Sequence, residues 1–270
     1  MEPKLVLITF AIGLVAGAVG GLAGIGGSII ILPALGLFLG YSSPTKDEHH
    51  EYMAAAMVVN VVVAFSSFVQ HRRAGAVRRS LVFSVAPAMM AAIVVGVAIS
   101  DYFNGSVAKM GLIAFLFAFC LYTFVTSVRH LPDHKEDDER GGIPLLVAIG
   151  GVTGLLAGFL GIGGGIVIVP LLAVLARVPL RLAIAASAAV MCVSAPLGAT
   201  TKLITLHTHS VGGVPLAWQD ALVLAMPMSL GAMLGAMIGA RLTHRLKLTY
   251  LRLAISVILA IAGARMAGWI

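Results

Sequence analysis

Long apolar segments separated by short polar stretches make up almost the whole chain. They fall at residues 4–23, 25–40, 52–70, 80–100, 106–128, 143–162, 164–176, 182–204, 217–240 and 250–268. One longer polar stretch, residues 130–142, divides them into two groups of five. A helix that crosses a bilayer needs about 20 consecutive apolar residues. The pattern therefore predicts an all-α integral membrane protein with about five hydrophobic segments in each half.

The two halves carry the same glycine and proline pattern. Residues 21–35 read GLAGIGGSIIILPAL, and residues 158–172 read GFLGIGGGIVIVPLL. Six positions match without a gap at an offset of 137, from Gly17 with Gly154 to Pro33 with Pro170. Such self-similarity indicates an internal duplication. We predict a first transmembrane repeat at 1–129, a cytoplasmic linker at 130–142 and a second repeat at 143–270.

Composition and charge agree with a membrane protein and give it an orientation. Hydrophobic residues make up 60% of the chain and charged residues 11%, which excludes a soluble domain. The net charge of +7 could indicate nucleic-acid binding, but no basic–aromatic interleaving accompanies it. Placing thirteen of the 18 basic residues in the cytoplasm gives a consistent path. Since each half has an odd number of segments, the repeats are predicted to be inverted, as in many transporters.

The glycine motifs are the first candidate binding elements. Consecutive glycines interrupt a helix, and the apolar run that follows would restart it with free backbone N–H groups. Two such helix ends, entering from opposite sides, could meet near the midplane and bind an anion. The backbone donors would come from Gly26, Gly27 and Ser28, and from Gly163, Gly164 and Gly165. The alternatives are close helix packing and an ordinary loop; whether these segments span or re-enter the membrane stays open.

Isolated polar side chains inside apolar segments are the second candidates. Asn60, Ser187, Ser194 and Thr200 could add hydrogen-bond donors to the anion site. The alternative for each Ser or Thr is a hydrogen bond between helices. Asn60 is the costliest of the four to bury, so a position facing a cavity is favoured for it.

Charged and metal-binding side chains lie near the ends of the segments. Lys202, at a predicted outer helix end, could steer anions, whereas the histidines at 49, 50, 207 and 209 are expected in solvated outer loops. The histidine pairs could bind a metal, but no spacing fixes a geometry, so no metal, cofactor or catalytic residue is predicted. All eleven acidic residues fall in loops or at segment ends. A cation path, which usually keeps a carboxylate in mid-membrane, is therefore disfavoured.

The duplicated glycine motif with its downstream proline resembles the sulfite exporter TauE/SafE family. The basic loop after the third segment and the glycine ladder of residues 231–242 fit the same resemblance. It implies a multi-pass transporter of the cytoplasmic (inner) membrane for sulfite, a sulfonate such as sulfoacetate, or a related organic anion. The expected partners are this small anion and the lipid bilayer, with a homodimer as one option and no nucleic acid.

Energetics favour export by alternating access. Moving one charge across 100 mV is worth about 2.3 kcal/mol, so an anion leaving a negative interior needs no coupling ion. The alternatives are an anion channel, a coupled importer of a related oxyanion, and a membrane enzyme or assembly partner in sulfur metabolism. A channel would show no saturation and no counterflow.

Overall fold

Helices dominate the computed structural model, which describes residues 3–128, 142–243, 260 and 263–269. A short hairpin, β1 (Ser210–Val211) with β2 (Val214–Pro215), follows the eighth helix. Residues 3–128 and 142–243 form nine α-helices: α1 (Pro3–Ala23), α2 (Ser28–Phe38), α3 (Glu48–Arg73), α4 (Arg79–Asp101), α5 (Gly105–Val128), α6 (Ile143–Leu160), α7 (Gly165–Val174), α8 (Leu180–Thr205) and α9 (Trp218–Leu242).

Seven helices are long and apolar enough to cross a membrane, and the predicted all-α integral membrane fold is confirmed. The other two are the segments that follow the glycine motifs. At about 1.5 Å per residue, the 11 residues of α2 and the 10 of α7 extend only half-way across a hydrocarbon core of about 30 Å. The predicted segments 25–40 and 164–176 are thus half-length helices preceded by glycine turns.

Each half of the chain packs its first helix against the fourth helix of the other half. Helix α1 lies along α9, and α6 lies along α4. A Cβ added at Gly13 would be 2.0 Å from the Met228 carbonyl oxygen, and one at Gly17 would be 2.2 Å from that of Ala232. Since contacts advance in the same direction along both helices, the pair is parallel. Only glycine lets the two backbones approach this closely.

The same geometry recurs in the second pair. A Cβ at Gly150 would be 2.4 Å from the Val85 carbonyl oxygen, and one at Gly154 would be 2.4 Å from that of Met89. Adding the sequence offset of 137 moves α4 to 216–238, which overlaps α9 at 218–242, and moves α2 to 165–175, which overlaps α7 at 165–174. Corresponding helices therefore make corresponding contacts.

Helices α3 and α8 lie at the centre of this arrangement, in contact with each other and with α9 and α4 respectively. Both are rich in alanine and bury most of their length, including Ala54, Ala55 and Ala56 on α3. The predicted linker at 130–142, apart from Gly142, and most of the predicted tenth segment at 250–268 lie outside the described residues.

Candidate functional site

The two glycine turns meet at the side chain of Asn60. A Cβ added at Gly26 would lie 2.9 Å from Asn60 Oδ1, and one added at Gly163 would lie 2.1 Å from Asn60 Nδ2. Asn60 is the thirteenth of the 26 residues of α3, and it is 1% exposed. The turns of both halves thus converge half-way along a membrane-spanning helix, where sequence reasoning placed an anion site.

The Asn60 amide caps the first half-length helix. Its Oδ1 accepts hydrogen bonds from the backbone N–H of Gly27 at 2.7 Å and of Ser28 at 3.2 Å. Its Nδ2 donates to Ser28 Oγ, which in turn donates to the Ala56 carbonyl at 3.0 Å. The backbone donors predicted to bind an anion at Gly27 and Ser28 are therefore held by an amide oxygen of the protein itself.

The second half-length helix begins without such a cap. Its start at Gly163 and Gly164 has φ of +71° and +85°, which glycine adopts without strain. Within the described ranges, no side chain accepts a hydrogen bond from the N–H groups of Gly165 or Ile166, the first two residues of α7. Gly163, in the turn just before α7, lies beside Asn60, and the positive end of the α7 dipole is therefore near this side chain.

The predicted hydroxyl donors have separate roles. Ser187 is fully buried and donates to the Gly24 carbonyl at 2.8 Å, so it ties α8 to the first glycine turn. Ser194 donates to the Val190 carbonyl of its own helix at 3.1 Å and lies 3.6 Å from the Met89 sulfur.

Thr200 is not brought to the site. It lies on an exposed face of α8 and donates to the Pro196 carbonyl at 2.8 Å. A threonine whose hydroxyl donates to a carbonyl of its own helix needs no partner on another helix. The sequence of a uniformly apolar segment does not show which face of the helix points outwards, so the exposure of Thr200 was not predicted.

Four buried methionines, which the sequence pattern did not predict as part of the site, lie on α3, α4 and α8, and two of them contact the second glycine turn. Met53 and Met57 on α3, Met89 on α4 and Met191 on α8 are at most 1% exposed. A Cβ at Gly161 would be 2.8 Å from Met53 Cγ, and one at Gly164 would be 2.3 Å from Met89 Cε. Methionine side chains are flexible and fill irregular space, so these side chains can repack when the turns move.

The predicted outer end holds a buried polar cluster in place of free charges. Lys202, expected to steer anions, is fully buried and forms a salt bridge with Asp101. His49 and His50, expected in a solvated loop, lie in the first turn of α3 and are fully buried. The sequence shows charges at segment ends, but it does not show that α4 and α8 bring opposite charges together.

Three side chains of the kinds that bind metal ions lie close together in this cluster. Nitrogen or oxygen atoms of Asp47, His50 and His209 lie within 4.8 Å of one another. However, Asp47 Oδ1 accepts from the Gly105 N–H at 2.9 Å and Oδ2 accepts from Thr45 Oγ1 at 2.7 Å. His50 contacts Lys202 with one nitrogen and the Phe103 carbonyl with the other. These atoms are already used in hydrogen bonds, so the set is a polar network and not a preformed ligand cage.

Comparisons with known proteins agree with this architecture. The family model described as Sulfite exporter TauE/SafE matches residues 9–266. The probable membrane transporter protein MJ0441 of Methanocaldococcus jannaschii is 25% identical over 98% of this chain and 94% of its own length. The probable membrane transporter protein YunE of Bacillus subtilis is 26% identical over 78% of this chain and 84% of its own length. No solved structure matches the chain significantly.

Proposed function

Because the chain belongs to the sulfite exporter TauE/SafE family, we propose that it carries a small sulfur-containing anion, such as sulfite or sulfoacetate, out across the cytoplasmic membrane. Membrane transport by a multi-pass protein follows from the family and its members. The anion, its direction and its binding site are proposed. The supporting observation is the convergence of both glycine turns on Asn60, half-way along α3.

The proposed site is asymmetric. The anion binds to the backbone N–H groups at the start of α7, where Gly165 and Ile166 have no side-chain acceptor among the described residues. The Nδ2 of Asn60 lies beside Gly163 and adds a side-chain donor. At the start of α2 the Asn60 oxygen satisfies the backbone donors and keeps that helix end closed to a second anion.

The packing around the site supports alternating access as the proposed mechanism. The two halves are interlocked through α1 with α9 and α6 with α4, and glycine-lined contacts of this kind let helices move as rigid pairs. Among the buried methionines, Met53 and Met89 are packed against the second glycine turn. Repacking of these side chains would open one route to the site while the opposite route stays closed.

The membrane potential favours export of an anion. An anion that leaves a negative interior gains about 2.3 kcal/mol per charge at 100 mV, equivalent to roughly a fifty-fold concentration ratio. In the described helices, the acidic residues Glu48, Glu51, Asp101 and Asp220 lie in the first or last turn. No carboxylate within these helices is therefore available in mid-membrane to carry a coupling cation.

The test is anion efflux from proteoliposomes under an imposed potential. The panel is sulfite, sulfate, thiosulfate, sulfoacetate and an alkyl carboxylate. We expect saturable, voltage-dependent efflux of a sulfur oxyanion, accelerated by the same anion on the opposite side. Linear flux without counterflow would identify a channel, and uptake that requires an ion gradient would identify a coupled importer.

A variant at the second glycine turn and a matched control test whether this turn takes part in transport. Gly164→Leu should abolish efflux, because a Cβ there would lie 2.3 Å from Met89 Cε and the backbone has φ of +85°. Gly212→Leu imposes the same kind of backbone strain at φ of +61°, in the hairpin after α8, where an added Cβ would meet none of the residues that the structure describes within 4 Å. Equal loss of efflux in both variants would contradict a role for the second glycine turn.

A further inference from the structure

Four buried polar side chains from four elements meet at the predicted outer end of the protein. They are His50 on α3, Asp101 at the end of α4, Lys202 on α8 and His209 just before the hairpin. We call them the outer tetrad. Lys202 and His50 are fully buried, and the Asp101 side chain is only 11% exposed. Two members come from the first half of the chain and two from the second.

The donors of the tetrad converge on one carboxylate oxygen. Lys202 Nζ donates to Asp101 Oδ1, and His209 Nε2 lies 3.3 Å from the same oxygen. Lys202 also donates to His50 Nδ1 at 2.7 Å, so this nitrogen carries no proton and the Nε2–H of His50 donates to the Phe103 carbonyl at 3.1 Å. The His50 and His209 rings stack with centroids 3.6 Å apart.

Lys202 and His209 contact the same carboxylate oxygen, and Thr205 is a further hydrogen-bonding neighbour of Asp101. Asp101 Oδ2 is buried and has no hydrogen-bond partner in the part of the chain that the structure describes. A buried ion pair that serves stability alone gains little, because desolvation offsets most of the attraction. Lys202 and His209 instead contact the Asp101 oxygen as they would contact one oxygen of a small bound oxyanion.

We propose that Lys202 and His209 form a second oxyanion-binding site, which the Asp101 carboxylate fills until the transported anion displaces it. The inference rests on the proposed function and adds an outer anion-binding site to the central site at Asn60. Exchange of one anion for another leaves the net charge of the buried site unchanged, so Lys202 never lacks a counter-charge. Asp101 is the last residue of α4, so its displacement also separates the end of α4 from α8.

The test measures anion binding to purified protein in detergent, independently of flux. The Asp101→Asn variant keeps the size of the side chain but removes the competing negative charge. We expect sulfite and acetate to raise the melting temperature of this variant saturably. The apparent affinity should be roughly tenfold or more tighter than in the wild type, since a tenfold change in affinity corresponds to only about 1.4 kcal/mol of binding free energy. Asp220→Asn, at the exposed start of α9, should behave as the wild type.

A second variant removes the cation. In Asp101→Asn with Lys202→Met the tightened binding should disappear, whereas the central site at Asn60 is intact in every variant and contributes equally. Binding in Asp101→Asn that equals the wild type, or that survives in the double variant, would overturn the outer site. Failure of the proposed function shows separately, as absence of flux from wild-type proteoliposomes.

If Asp101→Asn is not recovered folded, Asp101→Ser replaces it. Its smaller side chain leaves room for acetate to take the place of the carboxylate. Purification in acetate should then yield a monodisperse protein, and purification in gluconate should not. Equal yields in both anions would count against the inference.

Discussion

At the scale of single residues, Asn60 combines two tasks that a charged side chain could not. Its oxygen accepts from the N–H groups of Gly27 and Ser28, and its nitrogen lies beside Gly163. An uncharged amide has one acceptor oxygen and two N–H donors: one N–H donates to Ser28 Oγ, and the second is available on the side of Gly163. It can therefore hold the α2 turn and still favour an anion at α7.

Replacement of Asn60 by aspartate separates these tasks. The carboxylate can still accept from Gly27 and Ser28, but it no longer donates to Ser28 Oγ and its charge is buried, so we expect a lower melting temperature. Its negative charge next to α7 repels the anion, and efflux should fall roughly tenfold or more, the effect of about 1.4 kcal/mol. Proteoliposome efflux at equal protein content measures this.

Asn104→Asp provides the control, because Asn104 is exposed at the start of α5 and accepts from the Val107 N–H. It should leave efflux unchanged. Full efflux from Asn60→Asp would contradict an anion site next to this side chain.

Ser187 gives a second prediction at this scale. Ser187→Ala leaves the buried Gly24 carbonyl without its donor, at a cost of about 1–3 kcal/mol. Thermal unfolding in detergent should show a lower midpoint, and efflux should decrease because the first glycine turn loses its tether. Thr200→Ala, which removes an exposed hydroxyl bonded within its own helix, should alter neither quantity.

At the scale of elements, glycines on the contact faces set the distances between paired helices. Gly154 on α6 lies against the α4 backbone, where an added Cβ would be only 2.4 Å from the Met89 carbonyl oxygen, whereas at Gly151 on the same helix an added Cβ would meet no described residue within 4 Å. Both glycines lie in the same membrane-embedded helix, and only Gly154 is in contact with the α4 backbone.

Substitution by leucine should distinguish these two faces. Gly154→Leu should force α6 away from α4 and yield an aggregated or strongly destabilised protein in size-exclusion chromatography. Gly151→Leu should elute as the wild type. Similar elution of both variants would show that the α4–α6 contact is less close than described.

The elements were largely predictable, and their contacts were not. Consecutive glycines followed by an apolar run predicted the broken helices, because glycine signals both the turn and the restart. The capping of α2 by Asn60, 33 residues away from Gly27 along the chain, has no local signal. The burial of Lys202 was missed for the same reason: its partner Asp101 is 101 residues distant, and a single sequence does not reveal that pairing.

At the scale of the whole molecule, the inverted orientation of the two halves stays a prediction with a direct test. The basic loop after α3 is predicted inside, and the corresponding segment after α8 outside. In a background with Cys120→Ala and Cys192→Ala, single cysteines at Ala74 and Ser210, both exposed, report on the two loops.

A membrane-impermeant maleimide applied to intact cells should label the cysteine at 210 and not the one at 74. Permeabilised cells should label both, which controls for reactivity. Labelling of both positions from the same side would contradict the inverted arrangement.

The exchange of helices between halves also determines the order in which contacts form during synthesis. Gly13 of α1 meets Met228 of α9, which is made 215 residues later (228 − 13). At about 5–20 residues per second, α1 waits on the order of 10–40 s for its partner. Gly150 of α6 follows Val85 of α4 after only 65 residues (150 − 85). The nascent chain thus holds an unpaired glycine face in the membrane until its ninth helix emerges, and a premature stop before α9 would leave that face permanently uncovered.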